Sequence, residues 1–257
     1  MILLVLPASA LRDTYSSLLA FKRQPYVYSY RLKLLALKYG PSRTILKHYV
    51  GNSLRKTRRE VERLGNLSFE SVSSNPLLSH NHLTYLYALC RLCKPTTVVE
   101  TGVGLGASSN FILQALQDNG FGELHSIDLP KSTYFSDQGI RIKEHEYTSR
   151  DDMPGSLIYD NLRKRWNLVL GKSQIELPKL CKRLGTIDLF FHDSEHTYGN
   201  MWDEYETVWP HIAEKGVLAS HDINWNKAFM DFAAMNKKTA TTSRDGFGYI
   251  INQSYAD

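Results

Sequence analysis

The chain has 257 residues, 42% of them apolar, with a formal charge of +5, enough for one large α/β domain or a domain with an extension. Three cysteines, an odd number, argue against a disulfide framework and for a reducing compartment. The charge is unevenly placed. Residues 1–75 hold 13 Lys and Arg against 4 Asp and Glu, and residues 76–257 hold 18 against 22, so the basic character belongs to the N-terminal part.

The opening MILLVLPASA has five apolar residues after Met1 before Pro7 interrupts, far short of a membrane span. It also lacks the basic flank and longer apolar run of a secretory signal, so a cytoplasmic protein without a transmembrane segment is expected. From Leu11 to Leu64 the period is helical, and over 42–64 the residues Ile45, Leu46, Tyr49, Leu54, Val61 and Leu64 alternate with basic ones as in an amphipathic helix. Residues 1–75 therefore read as a helical basic extension. It is expected to act as a cap or homo-oligomer contact, or as a surface for an acidic partner such as anionic lipid, a phosphorylated glycan or nucleic acid. The polar break 65–76 reads as a linker, which places the second domain at 76–257. A helix from about Leu77 to Cys93 follows and stops at Pro95. Cys90 and Cys93 form a C-x-x-C but share the helical pattern, and they read as core residues.

Residues 97–109, TVVETGVGLGASS, begin as a β-branched run that favours a buried strand. Gly102, Gly104 and Gly106 then arrive at alternate positions, where the backbone turns sharply and a ligand can approach. Ala107, Ser108 and Ser109 open a helix with Phe111, Ile112 and Ala115 facing the sheet. Strand, glycine loop and helix N-terminus together present N–H groups and a positive dipole end to an anionic group. Gly102, Gly104 and Ala107 also satisfy the dinucleotide pattern. Glu100, two places before the first glycine, would repel a pyrophosphate but attract the sulfonium-bearing amino-acid end of S-adenosyl-L-methionine. Asp128, closing a second strand at Leu124–Ile127, suits the two ribose hydroxyls of an adenosine. E-x-G-x-G-x-G followed by this Asp resembles the class I S-adenosylmethionine-dependent methyltransferases, and an NAD site is the alternative.

The polar stretch 129–165 is long for a connection in a compact domain unless it works as an active-site lid. The third strand is Asn167–Leu170. Related methyltransferases often carry an acidic residue after the following glycine to read the adenine amino group. Here Lys172 stands there, which leaves Ser173 as the adenine candidate. The fourth strand, Ile187–His192, delivers HDSEHTY, and the fifth, Val217–Ser220, delivers His221 and Asp222. A helix at about 226–236 and an antiparallel pair, 239–243 and 247–251, close the chain. The reading is an α/β fold with a doubly wound, seven-stranded, mostly parallel sheet. Ligands bind beyond the carboxyl ends of such strands, where Glu100, Asp128, Asp193 and Asp222 converge.

The stretch from Ile187 to Ile223 resembles the methyltransferase group that contains cephalosporin hydroxylase and the macrolide-sugar O-methyltransferases, with Glu195 in place of the second Asp of that group's D-S/G-D-H box. The likeness covers about Leu77–Ile251 and implies a Rossmann-like methyltransferase fold. It also implies a divalent cation held by Asp193 and Asp222, with His221 as a weaker third ligand. Carboxylates suit Mg or Mn. His192 should face away from Asp193 by strand alternation, whereas His196 lies beyond the strand's end, where a loop can turn it toward an acceptor as general base. The expected function is S-adenosylmethionine-dependent O-methyl transfer, metal-assisted, to a small hydroxylated acceptor such as a sugar. The alternatives are an NAD-dependent dehydrogenase of similar topology and a non-catalytic cofactor-binding protein.

Overall fold

A computed structural model describes residues 43–75, 82–129, 131–135, 141–146 and 153–253. The expected helices before residue 43, and the first turn of the helix expected from about Leu77, lie outside them. In chain order the elements are α1 (Arg43–Arg63), α2 (Phe69–Ser74), α3 (His82–Cys93), β1 (Thr97–Thr101), α4 (Ala107–Asn119), β2 (Glu123–Asp128), β3 (Lys131–Phe135), β4 (Arg141–Glu146), a 3-10 turn (Asp160–Arg165), β5 (Trp166–Leu170), α5 (Ser173–Leu184), β6 (Ile187–His192), α6 (Tyr198–Val208), a second 3-10 turn (Trp209–His211), β7 (Ile212–Ser220), α7 (Ala228–Met235), β8 (Thr241–Thr242) and β9 (Gly248–Ile251).

Seven of the strands form one sheet in the order β5-β2-β1-β6-β7-β9-β8. The first five are parallel, and β9 and β8 run antiparallel at the end. Strand alternation sorts the core into two layers. Val98, Leu124, Leu189, Phe191 and Val217 pack with α3 and α4 on one face, while Val99, Ile127, Phe190 and Leu218 pack with α5, α6 and α7 on the other. Strand order reverses at β1, between β2 and β6, and ligands of open α/β sheets bind at such a switch point.

The N-terminal segment departs from the expected boundary at 75/76. Val50, Leu54 and Val61 of α1 and Val72 of α2 are buried in the same cluster as Leu86, Phe111 and Val98. Residues 65–75 are not a plain linker. Ser68 caps α2 by accepting from Ser71 N–H, Ser73 Oγ lies 2.6 Å from Tyr249 Oη, and the Phe69 and Tyr249 rings pack at 5.9 Å. The six residues of α2 are too few to register as a helix by period, and only Val72 among them is fully buried. The polar stretch after Asp128 likewise contains an unforeseen element, the antiparallel pair β3–β4, which forms a separate sheet. Its strands bond to each other rather than to the main sheet, so no core-facing alternation marks them. No helix of the described residues is long and apolar enough to cross a membrane.

Because Leu54 belongs to the main core, Leu54→Ala should lower the free energy of unfolding by about 2–5 kcal/mol. Urea denaturation monitored by circular dichroism measures this, and a wild-type midpoint would show that α1 is a separate appendage.

Candidate active site

The glycine loop joins β1 to α4, and each of its glycines meets a different constraint. Gly102 (φ +82°) lies against the next strand's loop, where a Cβ would come within 2.1 Å of the Asp193 carbonyl oxygen. Gly106 (φ +93°) caps α4 and faces Ile158 and Gly155. Only Gly104 (φ +53°) opens onto space, with nothing within 4 Å of the Cβ position. Its backbone is therefore the part of the loop that a ligand can approach closely. The end of the long connection clamps the loop from outside: Gly155 N–H donates to Gly104 O and Leu157 N–H to Leu105 O, both at 2.9 Å. Asn110 completes the clamp, donating to Leu157 O and accepting from Tyr159 N–H.

Glu100 lies under the loop, fully buried. Its carboxylate accepts hydroxyl hydrogen bonds from Ser108 (2.5 Å) and Ser109 (2.7 Å) of α4 and from Ser126 (2.9 Å) of β2. Burial pushes its pKa up to about 7 against the opposing pull of the three hydroxyls. Ser108, expected at the cofactor, is thus turned to Glu100 and is itself buried. Asp128 sits at the carboxyl end of β2, and its Oδ2 accepts from Val103 and Gly104 N–H at 2.8 Å each. Burial raises its pKa while those N–H groups oppose the rise. Asp128 therefore fixes the loop from the side on which an adenosine ribose was expected. Ser173 opens α5 just beyond the end of β5.

At the ends of β6 and β7 four side chains converge: Asp193, His196, His221 and Asp222 each offer one ligand atom, all within 4.8 Å of one another. Asp193 Oδ1 lies 3.2 Å from His221 Nδ1 and 3.6 Å from His196 Nε2, and Asp222 lies 3.6 Å from His221 Nε2 and 3.8 Å from His196 Nε2. His196 Nε2 is buried without a hydrogen-bond partner, and burial pushes the imidazole pKa down against its carboxylate neighbours. Asp222 holds a left-handed backbone, φ +52°, a conformation that costs energy and collects at functional sites. Two carboxylates and two imidazoles around an orphaned buried nitrogen fit a divalent cation. Asp193 N–H bonds Thr101 O at 2.8 Å, so this cluster abuts the glycine loop.

His192 is fully buried on the Phe190 face, with Nδ1 2.7 Å from Glu204 Oε2 of α6. Three neighbours of the site escaped the sequence reading. The His82 ring lies 4.0 Å from that of His221, and the Trp225 ring, 54% exposed, lies 5.4 Å from that of His196. The third is Glu204, and it alone had a local signal, because it stands on the apolar face of α6 that Met201, Tyr205 and Val208 define.

Sheet order, glycine loop and acidic strand ends define the class I methyltransferase fold. Residues 99–223 match the family model of a methyltransferase domain, and that match together with the fold supports an S-adenosylmethionine-dependent methyltransferase. That match favours a methyltransferase over the NAD alternative. No curated protein matches the chain. Among solved structures it is similar to the calicheamicin methyltransferase CalS11, with 15% identity, 80% of this chain and 93% of the other covered, and a TM-score of 0.52. It is also similar to a Staphylococcus aureus protein assigned as a caffeoyl-CoA O-methyltransferase, with 13% identity, 82% and 100% covered, and a TM-score of 0.50. At these identities the likeness is one of fold.

The raised pKa of Glu100 has a definite sign. The folded state holds the proton more tightly than the unfolded chain, so this contribution is complete below about pH 4.5 and is lost as pH rises through about 7. Glu100→Gln should therefore flatten the decline of melting temperature between pH 5 and pH 8. A decline as steep as that of the wild type would show that Glu100 does not titrate there.

Proposed function

We propose that the chain is an O-methyltransferase acting on a small hydroxylated acceptor such as a sugar, with a divalent cation, Mg or Mn, held by Asp193, His221 and Asp222. The observation that carries this reading is the cluster of two carboxylates and two imidazoles directly beside the glycine loop. The functions printed for the two fold relatives, a calicheamicin methyltransferase and a caffeoyl-CoA O-methyltransferase, agree with it.

Bound S-adenosylmethionine supplies the methyl electrophile, and a bound cation would lower the pKa of the acceptor hydroxyl. The open backbone at Gly104 receives the cofactor, Asp128 holds that backbone in place and takes the ribose, and Glu100 anchors the first turn of α4 to β2. Ser173 is the adenine contact. His196 accepts the acceptor's proton at Nε2, since its lowered pKa keeps the imidazole neutral at neutral pH. A second reading makes His196 the fourth ligand, supported by its Nε2 lying within 4 Å of both carboxylates. The exposed stripe Arg55, Lys56, Arg59 and Arg63 of α1 supports an acidic partner for the basic segment. The three free cysteines suit a reducing, cytoplasmic setting.

Asp128→Ala should weaken S-adenosylhomocysteine binding by about 1.5–3 kcal/mol, the range for hydrogen bonds to a charged group, in isothermal calorimetry. An unchanged affinity would remove Asp128 from the cofactor site. His196→Ala should lower turnover on a hydroxylated acceptor by roughly 10²- to 10⁴-fold while S-adenosylhomocysteine and Mn²⁺ affinities stay near wild type. Loss of Mn²⁺ affinity instead would make His196 a ligand, and wild-type turnover after exhaustive chelation would end the metal reading.

A further inference from the structure

The geometry points to Glu204 as a positioning residue that holds the Asp193–His196 loop in register without touching cofactor, cation or acceptor. It rests on the proposed cation site only for one of its two readouts.

Glu204 is 1% exposed, yet both carboxylate oxygens are occupied. Oε2 accepts from Thr101 Oγ1 at 2.5 Å and lies 2.7 Å from His192 Nδ1. Oε1 accepts from Ser194 Oγ at 2.7 Å and from Asn200 Nδ2 at 3.3 Å. Asn200 in turn donates to Glu195 O at 2.8 Å. The residues on both sides of Asp193 are therefore bound to one carboxylate, and Glu195 is bound to it through Asn200. Thr101, whose carbonyl accepts the Asp193 N–H, is bound to the same group. Beyond the end of β6 the ladder continues for one bond only, from Asp193 N–H to Thr101 O, and Glu204 is the side chain that ties the following residues to β1 and α6.

The charge is a condition of this role. Burial acts against an ionised Glu204, but His192 and the Ser173 and Thr101 hydroxyls outweigh it and bring the pKa down to about 2. A carboxylate accepts four hydrogen bonds, whereas the amide of a glutamine carries an acceptor on one side only. Glu204→Gln keeps the volume but turns one acceptor oxygen into a donor, so the pair that faces the amide nitrogen must reverse its hydrogen bonds or lose them. The glycine loop keeps its own supports, Glu100 below and Asp128 beside it, and of the residues proposed at the cofactor only Ser173 bonds to Glu204, so the two halves of the site should separate in experiment.

The test uses the full chain. Glu204→Gln should melt cooperatively and bind S-adenosylhomocysteine within about threefold of wild type. Its affinity for Mn²⁺, read by calorimetry, should fall by about 10- to 100-fold, the usual cost of losing an outer-sphere support. Hydrogen exchange read by mass spectrometry should quicken in peptides spanning 193–200 and not in those spanning 102–107. Ser194→Ala, which removes one tether without removing the charge, should move both readouts in the same direction by less, and it carries the test if Glu204→Gln does not fold. Unchanged exchange over 193–200 in the folded variants overturns the proposal. Equal loss of S-adenosylhomocysteine and Mn²⁺ affinity with a lowered melting temperature also overturns it, because Glu204 would then be a general support of the core. If the wild type binds no Mn²⁺, the cation reading fails, and exchange alone decides the role of Glu204.

Discussion

The contact between Gly102 and the carbonyl of Asp193 is the constraint on which the site depends. A Cβ at residue 102 would fall 2.1 Å from that oxygen, inside any van der Waals limit, so the two loops can meet only because one of them has no side chain. Their strands are neighbours, with Thr101 paired to His192, and the bond from Asp193 N–H to Thr101 O extends the ladder one step past the strand ends. The cofactor loop and the acidic cluster are therefore two sides of one sheet opening at the topological switch point. A larger separation would part the acceptor from the methyl group that in-line displacement requires it to face.

Two buried carboxylates hold this opening from opposite faces. Glu100 ties α4 to β2 through three serine hydroxyls, and Glu204 ties β1, β6 and α6 together through Thr101, His192, Ser194 and Asn200. Burying an unpaired carboxylate costs several kcal/mol, so each is tolerable only because its acceptor capacity is met. Their environments push them apart. Glu100 has hydroxyl donors and no cationic partner, and burial wins, leaving its pKa near about 7. Glu204 has His192 and the Ser173 and Thr101 hydroxyls against it, and its pKa falls to about 2.

Much of this was legible in the sequence because the information was local. Short β-branched or apolar runs at 97–101, 187–192 and 217–220 marked the parallel strands, and the alternating glycines marked the loop. Asp193, His196, His221 and Asp222 were legible because each lies within four residues of a strand end, and parallel topology brings such ends together whatever the packing details. The unforeseen parts depend on contacts distant in sequence. Val72 reads as one valine in a polar stretch until Tyr249 and Ser73 meet across 176 positions. The inward turn of Glu100 depends on Ser126, a residue of another strand. The three glycines looked equivalent, and only the neighbours of each show that Gly104 faces open space while Gly102 and Gly106 permit close packing.

The same reasoning separates rigid from adjustable parts of the site. The glycine loop is held on every side: Glu100 beneath α4, Asp128 at its own N–H groups, and the Gly155–Leu157 backbone over its outer edge. The clamp belongs to the end of the connection that follows β2, whose residues Gly155 and Leu157 are bonded to the glycine loop. On the acceptor side the surroundings are different. Trp225 is more than half exposed beside His196, and Asp222, three residues before Trp225, keeps a strained backbone. Main-chain bonds fix the glycine loop, whereas the side of Asp193, His196 and Asp222 rests on a few side chains. Under the proposed function the acceptor could change by substitution at those side chains while the opening at the switch point stays as it is.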